Sequence, residues 1–289
     1  MARSKVSKPQ NTGSRRSDPF RLRKDTARNG SSQVHVFGKG FVCDTEERGH
    51  ATPNNRSPLE LVVDASEGFI PLWATDVTLR WHFRESSFKV FQNPASAKAA
   101  VRKLFGDALL AWGDAVPVKF AERDDAWDFE IVMQRQDKCN ALGCVLARGF
   151  FPDPGRHTLT IWPKMFTQEP QEQMETLCHE LGHVFGLRHF FAQLKEADAP
   201  SELFGKQNAF TIMNYGKEST LTADDKADLK KLYQQVWSGQ LTKINGTPIK
   251  LMKPFHTLGG LSDGLLALGE LQPAAATQPQ RRAAYVVSA

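Results

Sequence analysis

The run His179-Glu180-Leu-Gly-His183-Val-Phe-Gly186-Leu-Arg-His189 constrains this chain more than any other stretch. Around it, Met174, Leu177, Cys178, Leu181, Val184 and Phe185 recur at helical spacing, so the run is predicted to lie on a helix, with Thr167 as N-cap and Pro170 in the first turn. Histidines four residues apart then share one face, one turn apart. Gly186 can take a backbone conformation closed to other residues, which lets the chain leave the helix sharply and bring His189 back towards the first two. Three imidazoles so placed can reach one tetrahedral ion at about 2.0 to 2.1 Å, and the open fourth position marks a catalytic rather than a structural zinc site. Glu180, next in sequence to a ligand, is placed to act as a general base towards a zinc-activated water and is not itself expected to bind the metal. The competing account is a helix with incidental histidines, and the fixed offsets of Glu180, Gly186 and His189 argue against it.

Upstream, strand and helix signals alternate. Leu59 to Val63 and Val77 to Phe83 show alternation or β-branched enrichment and are each predicted as a strand. Between Pro94 and Trp112 the apolar positions return at helical spacing, which predicts an amphipathic helix of about five turns. Val116 to Phe120 and Phe129 to Met133 read as two more strands. Cys144 to Phe151 and Thr158 to Trp162 read as a further pair, joined across the turn Asp153-Pro-Gly155. Downstream, Thr222-Ala-Asp-Asp225 reads as a capping box that opens a last helix running through Leu229, Leu232, Tyr233 and Val236 to Gly239. This order within roughly 180 residues is an α+β arrangement in one domain.

Outside residues 57–240 the chain thins out. Within the first thirty residues nine Lys and Arg face only Asp18 and Asp25, a local charge of +7 against +5 for the whole chain. The basic bias therefore belongs to an N-terminal arm, residues 1–56, whose polar composition predicts disorder. It carries no pattern of interleaved aromatics and no nucleic-acid fold signature, so a solvated tail is favoured over a binder of nucleic acid or of an acidic surface. Neither the apolar core of a secretory signal nor the roughly eighteen apolar residues of a membrane-spanning helix is found, which leads to the expectation of a soluble protein, intracellular or exported by a non-classical route. Residues 241–289 are predicted as a C-terminal extension ending in a low-complexity tail, Ala274 to Ala289. Four cysteines, Cys43, Cys139, Cys144 and Cys178, are too few for a disulfide scaffold. Cys139 and Cys144 bracket Asn-Ala-Leu-Gly, and could close a small loop in an oxidising compartment or stay as thiols in a reducing one.

His179 to His189 matches the pattern HExxHxxGxxH at every fixed position, and in this the chain resembles the metzincin zinc metalloproteases. Thr211-Ile-Met213-Asn-Tyr215-Gly resembles the family's Met-turn, which implies that Met213 forms a hydrophobic floor under the zinc histidines. Tyr215, two residues on, resembles the astacins and serralysins. The likeness implies a hydrogen bond from its hydroxyl to the tetrahedral oxyanion or a resting-state bond to zinc, with a buried structural tyrosine as the alternative. Leu146-Ala-Arg-Gly-Phe-Phe-Pro152 and Leu221 to Tyr233 look instead like the matrixins. Phe190 departs from both groups, since astacins have Glu after the third histidine and matrixins usually Ser or Thr. The matrixins' second, structural zinc uses an HxD pair, whereas His157 is followed by Thr158 and Leu159, so a single catalytic ion is expected. His35, His50, His82, His157 and His256 then read as ordinary surface or core histidines.

The resemblance, covering about Ser57 to Gly239, implies a metzincin-like fold: a twisted, mostly parallel sheet with an antiparallel edge strand, an active-site helix and a C-terminal helix. It also implies a zinc-dependent endopeptidase acting on protein or peptide substrates, with Glu180 returning the proton to the leaving amine and Cys144 to Phe150 pairing with the extended substrate. Phe41-Val-Cys43-Asp44 matches only in part the thiolate and aspartate propeptide motifs that block zinc in this superfamily, and a plain loop is the favoured reading. Two alternatives from other classes are a catalytically inactive, zinc-bearing peptide-binding module and a polyanion-binding protein working through the basic arm. Intact Glu180 favours catalysis over the first.

Overall fold

Alternation along Thr78–Phe83 makes a strand with one face inward. In the computed structural model of the protein this is β3, with Leu79, Trp81 and Phe83 buried and the residues between them partly exposed. The structure describes residues 18–21, 61–64, 68–139, 143–189, 201–204, 211–213 and 219–258. The other strands are β1 (Leu61–Asp64), β2 (Ile70–Trp73), β4 (Lys119–Glu122), β5 (Phe129–Met133), β6 (Lys138–Cys139), β7 (Cys144–Val145), β8 (Ala147–Arg148), β9 (His157–Ile161), β10 (Ser201–Phe204), β11 (Lys243–Ile244) and β12 (Thr247–Met252). The helices are α1 (Glu85–Phe88), α2 (Pro94–Trp112), α3 (Pro170–Val184) and α4 (Ala223–Trp237). Among the described residues no helix is long and apolar enough to cross a membrane.

The main sheet has the order β4-β3-β5-β9-β8. Its first four strands are parallel and β8 runs antiparallel to β9, through the pairs Ala147↔Ile161 and Arg148↔Thr160. This is the expected α+β, metzincin-like architecture, mostly parallel with an antiparallel edge. Parallel neighbours need a crossover, and α2 supplies the one between β3 and β4. Asn93 starts α2 by accepting a hydrogen bond from the Ser96 amide at 3.0 Å, and Pro94 needs no amide partner in the first turn. Its buried face, Ala97, Val101, Phe105, Ala108 and Trp112, packs the sheet through Phe105 against Trp81, Phe120 and Phe129, and packs α3 through Trp112.

Several boundaries differ from expectation, each for a local reason. The active-site helix is capped by Glu169, which exchanges hydrogen bonds with Glu172 in a capping box. Thr167 is not the cap, because its hydroxyl donates to Lys164 O at 2.8 Å within a preceding 3-10 turn. Strand β4 starts at Lys119, since the 3-10 turn Gly113–Ala115 and the amide-less Pro117 delay pairing. The stretch Cys144 to Phe151 is two short strands. β7 pairs back on β6 across a Cys139–Cys144 disulfide, and β8 turns to pair with β9.

Strand β2, fully buried, has no counterpart among the predicted strands, because a run of four apolar residues containing Pro71 lacks alternation. Its partner is β12, parallel to it from Ile249↔Ile70 to Met252↔Trp73. Packing therefore continues past the expected boundary at 240, with Ile244 and Met252 buried and His256 docked on buried Asp128 by its amide (2.8 Å) and its Nδ1 (2.8 Å). Within the arm expected to be disordered, Phe20 stacks on Phe166 with ring centroids 3.6 Å apart, and Arg21 O accepts the Gln92 amide at 2.8 Å. Residues 1–17 and 22–60, including Cys43 and Asp44, and the tail 259–289 lie outside the described residues.

Candidate metal centre

Helix α3 carries His179 and His183 on one face and ends in a Schellman motif. The Leu187 amide donates to Gly182 O (2.9 Å) and the Gly186 amide to His183 O (2.8 Å). Gly186 is required there twice over. Its φ of +91° is the left-handed conformation this motif needs, and a Cβ would sit 2.8 Å from Leu72 Cδ2. The turn brings His189 onto the other two imidazoles, with ring centroids 4.9 to 5.1 Å apart and all three residues at most 3% exposed.

Second contacts aim the rings. His179 Nδ1 lies 2.8 Å from Ile212 O and His183 Nδ1 2.8 Å from Leu187 O. A carbonyl only accepts, so each Nδ1 carries the hydrogen and each Nε2 is left with its lone pair facing inward. The Nε2 atoms of His179 and His189 are 3.2 Å apart, and one ring nitrogen of each histidine lies within 4.8 Å of the others. Two nitrogens bound to a tetrahedral zinc at 2.0 to 2.1 Å are themselves about 3.3 Å apart, so the donor set fits that ion in number and element, and the His179–His189 pair fits it in spacing. Among the described residues these three form the one group of at least three His, Cys, Asp or Glu side chains able to hold a metal.

Glu180, 2% exposed, sits between His179 and His183 in sequence, and its Oε2 accepts the Gly149 amide at 2.6 Å. Met213 is buried with its side chain against the helix at Gly182, where a Cβ would collide with Met213 Sδ. The Met-turn is in turn fastened to α4. Asp225 accepts from the Thr211 hydroxyl and, through Oδ2, from the Ile212 amide (3.4 Å), the Thr222 amide (2.8 Å) and the Thr222 hydroxyl (2.8 Å). One carboxylate thus completes the helix cap and holds the amide of Ile212, the residue whose carbonyl meets His179. The carbonyls beyond the reach of the Schellman motif are met by side chains. Trp73 Nε1 donates to Val184 O (2.7 Å), and Tyr233 donates from its hydroxyl to Phe185 O (3.1 Å) while accepting the Trp73 amide (3.3 Å). Burial drives the Tyr233 phenol far above its ordinary pKa, and the Cys178 thiol is pushed up to about 12 by the same cause.

The predicted ligands and Glu180 are therefore together, while Tyr215 and Phe190 lie outside the described residues. His157 and His256 stand apart from the cluster. His157 stacks on Phe150 at 4.5 Å, and His256 pairs with Asp128. Sequence reading missed Gly149, the second role of Asp225, and the donors Trp73 and Tyr233. Only for Asp225 was there a signal, its place in a capping box.

Fold and site together have the metzincin form: a mostly parallel sheet with an antiparallel edge, and three clustered histidines, two on a helix and one just past its end. Within that class the chain belongs to the matrixin family, whose model matches residues 80–234. It is 29% identical over 178 residues to metalloendoproteinase 4-MMP of Arabidopsis thaliana, which covers 56% of this chain and 48% of that protein. It is 26% identical over 174 residues to human stromelysin-3, covering 55% of this chain and 32% of the relative. The chain thus spans half or less of the length of these relatives. A solved structure of myroilysin aligns with a TM-score of 0.40 at 14% identity, over 60% of this chain and 98% of that one.

Proposed function

We propose that the chain is a zinc-dependent endopeptidase in which His179, His183 and His189 hold one catalytic ion and Glu180 is the general base. The observation that carries this reading is the convergence of three buried imidazoles, two with their tautomers set by carbonyls, at the spacing of a tetrahedral ion, with the Glu180 carboxylate beside them. The relative 4-MMP is named a metalloendoproteinase, which agrees with this chemistry.

Zinc, when bound there, supplies Lewis-acid polarisation of a water and of the scissile carbonyl. Glu180 takes the water's proton on Oε1, since Oε2 is held by the Gly149 amide, and gives it to the leaving amine. The stretch Cys144 to Phe150, which includes the edge strand β8, pairs with an extended peptide, so recognition runs largely through main chain. Tyr215, by its resemblance to other metzincins, is proposed as a hydrogen-bond donor to the oxyanion.

The test is cleavage of unfolded protein substrates by the wild-type chain and by Glu180→Gln, with zinc content measured in both. Wild type should hold one zinc per chain and cleave. The variant should keep the zinc and lose about 10²- to 10⁴-fold in rate, nearer the upper figure because both proton transfers use this group. An unchanged rate removes Glu180 from the mechanism. If neither cleaves, even after residues before Ser57 are removed with β1 left in place, the peptide-binding module becomes the better account.

A further inference from the structure

We propose that Gly149 is a positioning residue for Glu180: its amide clamps one oxygen of the carboxylate, and its missing side chain is what lets the sheet edge reach the active-site helix. This rests on the hydrolytic reading above.

Strand β8 ends at Arg148, and the next residue passes directly over α3. The Gly149 amide donates to Glu180 Oε2 at 2.6 Å in a buried setting, a short contact in the direction expected for a hydrogen bond to an ionised acceptor. A Cβ at position 149 would lie 2.7 Å from Glu180 O and 3.2 Å from Glu180 Oε2. The closer atom is a main-chain carbonyl of the helix that carries two of the metal ligands. It cannot swing aside as a side-chain tip would, so any larger residue must lift the strand, shift the helix, or break the amide–carboxylate bond. Gly149 is not among the residues with positive φ, so no left-handed conformation requires a glycine here. What the position demands is space.

The consequence is orientation. With Oε2 fixed, the carboxylate keeps one rotamer and presents Oε1 for proton transfer, so the ordering of the base is complete before substrate arrives. Because the donor is main chain just beyond the edge strand, the base is also registered to the element proposed to align the peptide. A small movement of that strand moves the acceptor, and misplacements of about 1 Å can cost about a hundredfold in rate.

Two measurements on the full chain test this. In the first, Gly149→Ala is compared with wild type for kcat, KM, zinc content and thermal stability. We expect kcat to fall about 10- to 100-fold, by more than any rise in KM, with one zinc retained. The second does not use activity. Labelling with carbonyl-¹³C arginine and ¹⁵N glycine selects only the pairs Arg48–Gly49 and Arg148–Gly149 by NMR. One of the two amide protons should lie well downfield in both zinc-free and zinc-loaded protein, and should move upfield in Glu180→Gln while the other stays. If Gly149→Ala fails to fold, the amide signal still decides whether the clamp exists. An active enzyme whose kcat is indifferent to Gly149→Ala, or an amide indifferent to Glu180→Gln, overturns the proposal. A wild-type chain that never cleaves, with the downfield amide intact, overturns the hydrolytic reading on which it rests.

Discussion

Replacing Asp225 with alanine removes the acceptor that joins the cap of α4 to the Met-turn. Four hydrogen bonds end on this buried carboxylate, from the Thr211 hydroxyl, the Ile212 amide, the Thr222 amide and the Thr222 hydroxyl. Bonds to a charged group contribute about 1.5 to 3 kcal/mol each, but these share one acceptor and do not add. We expect a net loss of about 3 to 5 kcal/mol, within the range for breaking a buried polar network. For a domain of this size that corresponds to a fall in Tm of about 6 to 20 °C. Asparagine should cost less, about 1 to 2 kcal/mol, since its oxygen can replace Oδ2 while its amide faces the Thr211 hydroxyl, which can accept. Because Ile212 O holds His179 Nδ1, the alanine variant should also lose about 10- to 100-fold in zinc affinity. The assay is thermal unfolding by circular dichroism together with zinc titration against a chromogenic chelator. A Tm within about 2 °C of wild type combined with unchanged zinc affinity would show that the Met-turn is held by other means, and would refute the reasoning.

Chelation of zinc, or His189→Ala, should lower Tm and metal content together, and full zinc retention by His189→Ala would count against the three-histidine site. Gly182→Ala should cost about 1 to 3 kcal/mol by crowding Met213, with the loss largely relieved in Gly182→Ala/Met213→Ala, and strictly additive effects would rule out that contact. Tyr233→Phe should cost about 1 to 3 kcal/mol in chemical denaturation, because Phe185 O then loses its donor inside the core. Cys178 has its pKa raised by burial to about 12, so the folded state holds its proton more tightly than the unfolded state. The stability this represents is complete below the ordinary thiol pKa and is lost as pH rises towards 12, so Cys178→Ala should show a shallower decline between pH 9 and 11. In an oxidised Cys43→Ser chain a disulfide-exchange reagent should titrate no thiol in the folded state and one after denaturation. Three after denaturation would mean that the Cys139–Cys144 bond is absent.

The helix that carries His179 and His183, and its exit, were legible in the sequence, because their determinants act over four residues or fewer. His179 and His183 share a face at any helix that includes them, and Gly186 permits the turn to His189. The span of α2 and the Thr222–Asp225 box of α4 were likewise local matters of periodicity and capping. Tertiary structure alone decided what depends on groups far apart in the chain. Strand β2, interrupted by Pro71, exists because β12, some 180 residues away, lies beside it, and that pairing carries the domain past residue 240. Asp225 gained its second role because the Met-turn packs on the cap it already formed. Gly149 and Trp73 bear on the site only because the fold brings an amide to a carboxylate and an indole to an unpaired helix carbonyl. A residue's own pattern states which backbone groups it can satisfy locally, whereas the donors and acceptors left over find partners only once the chain has packed.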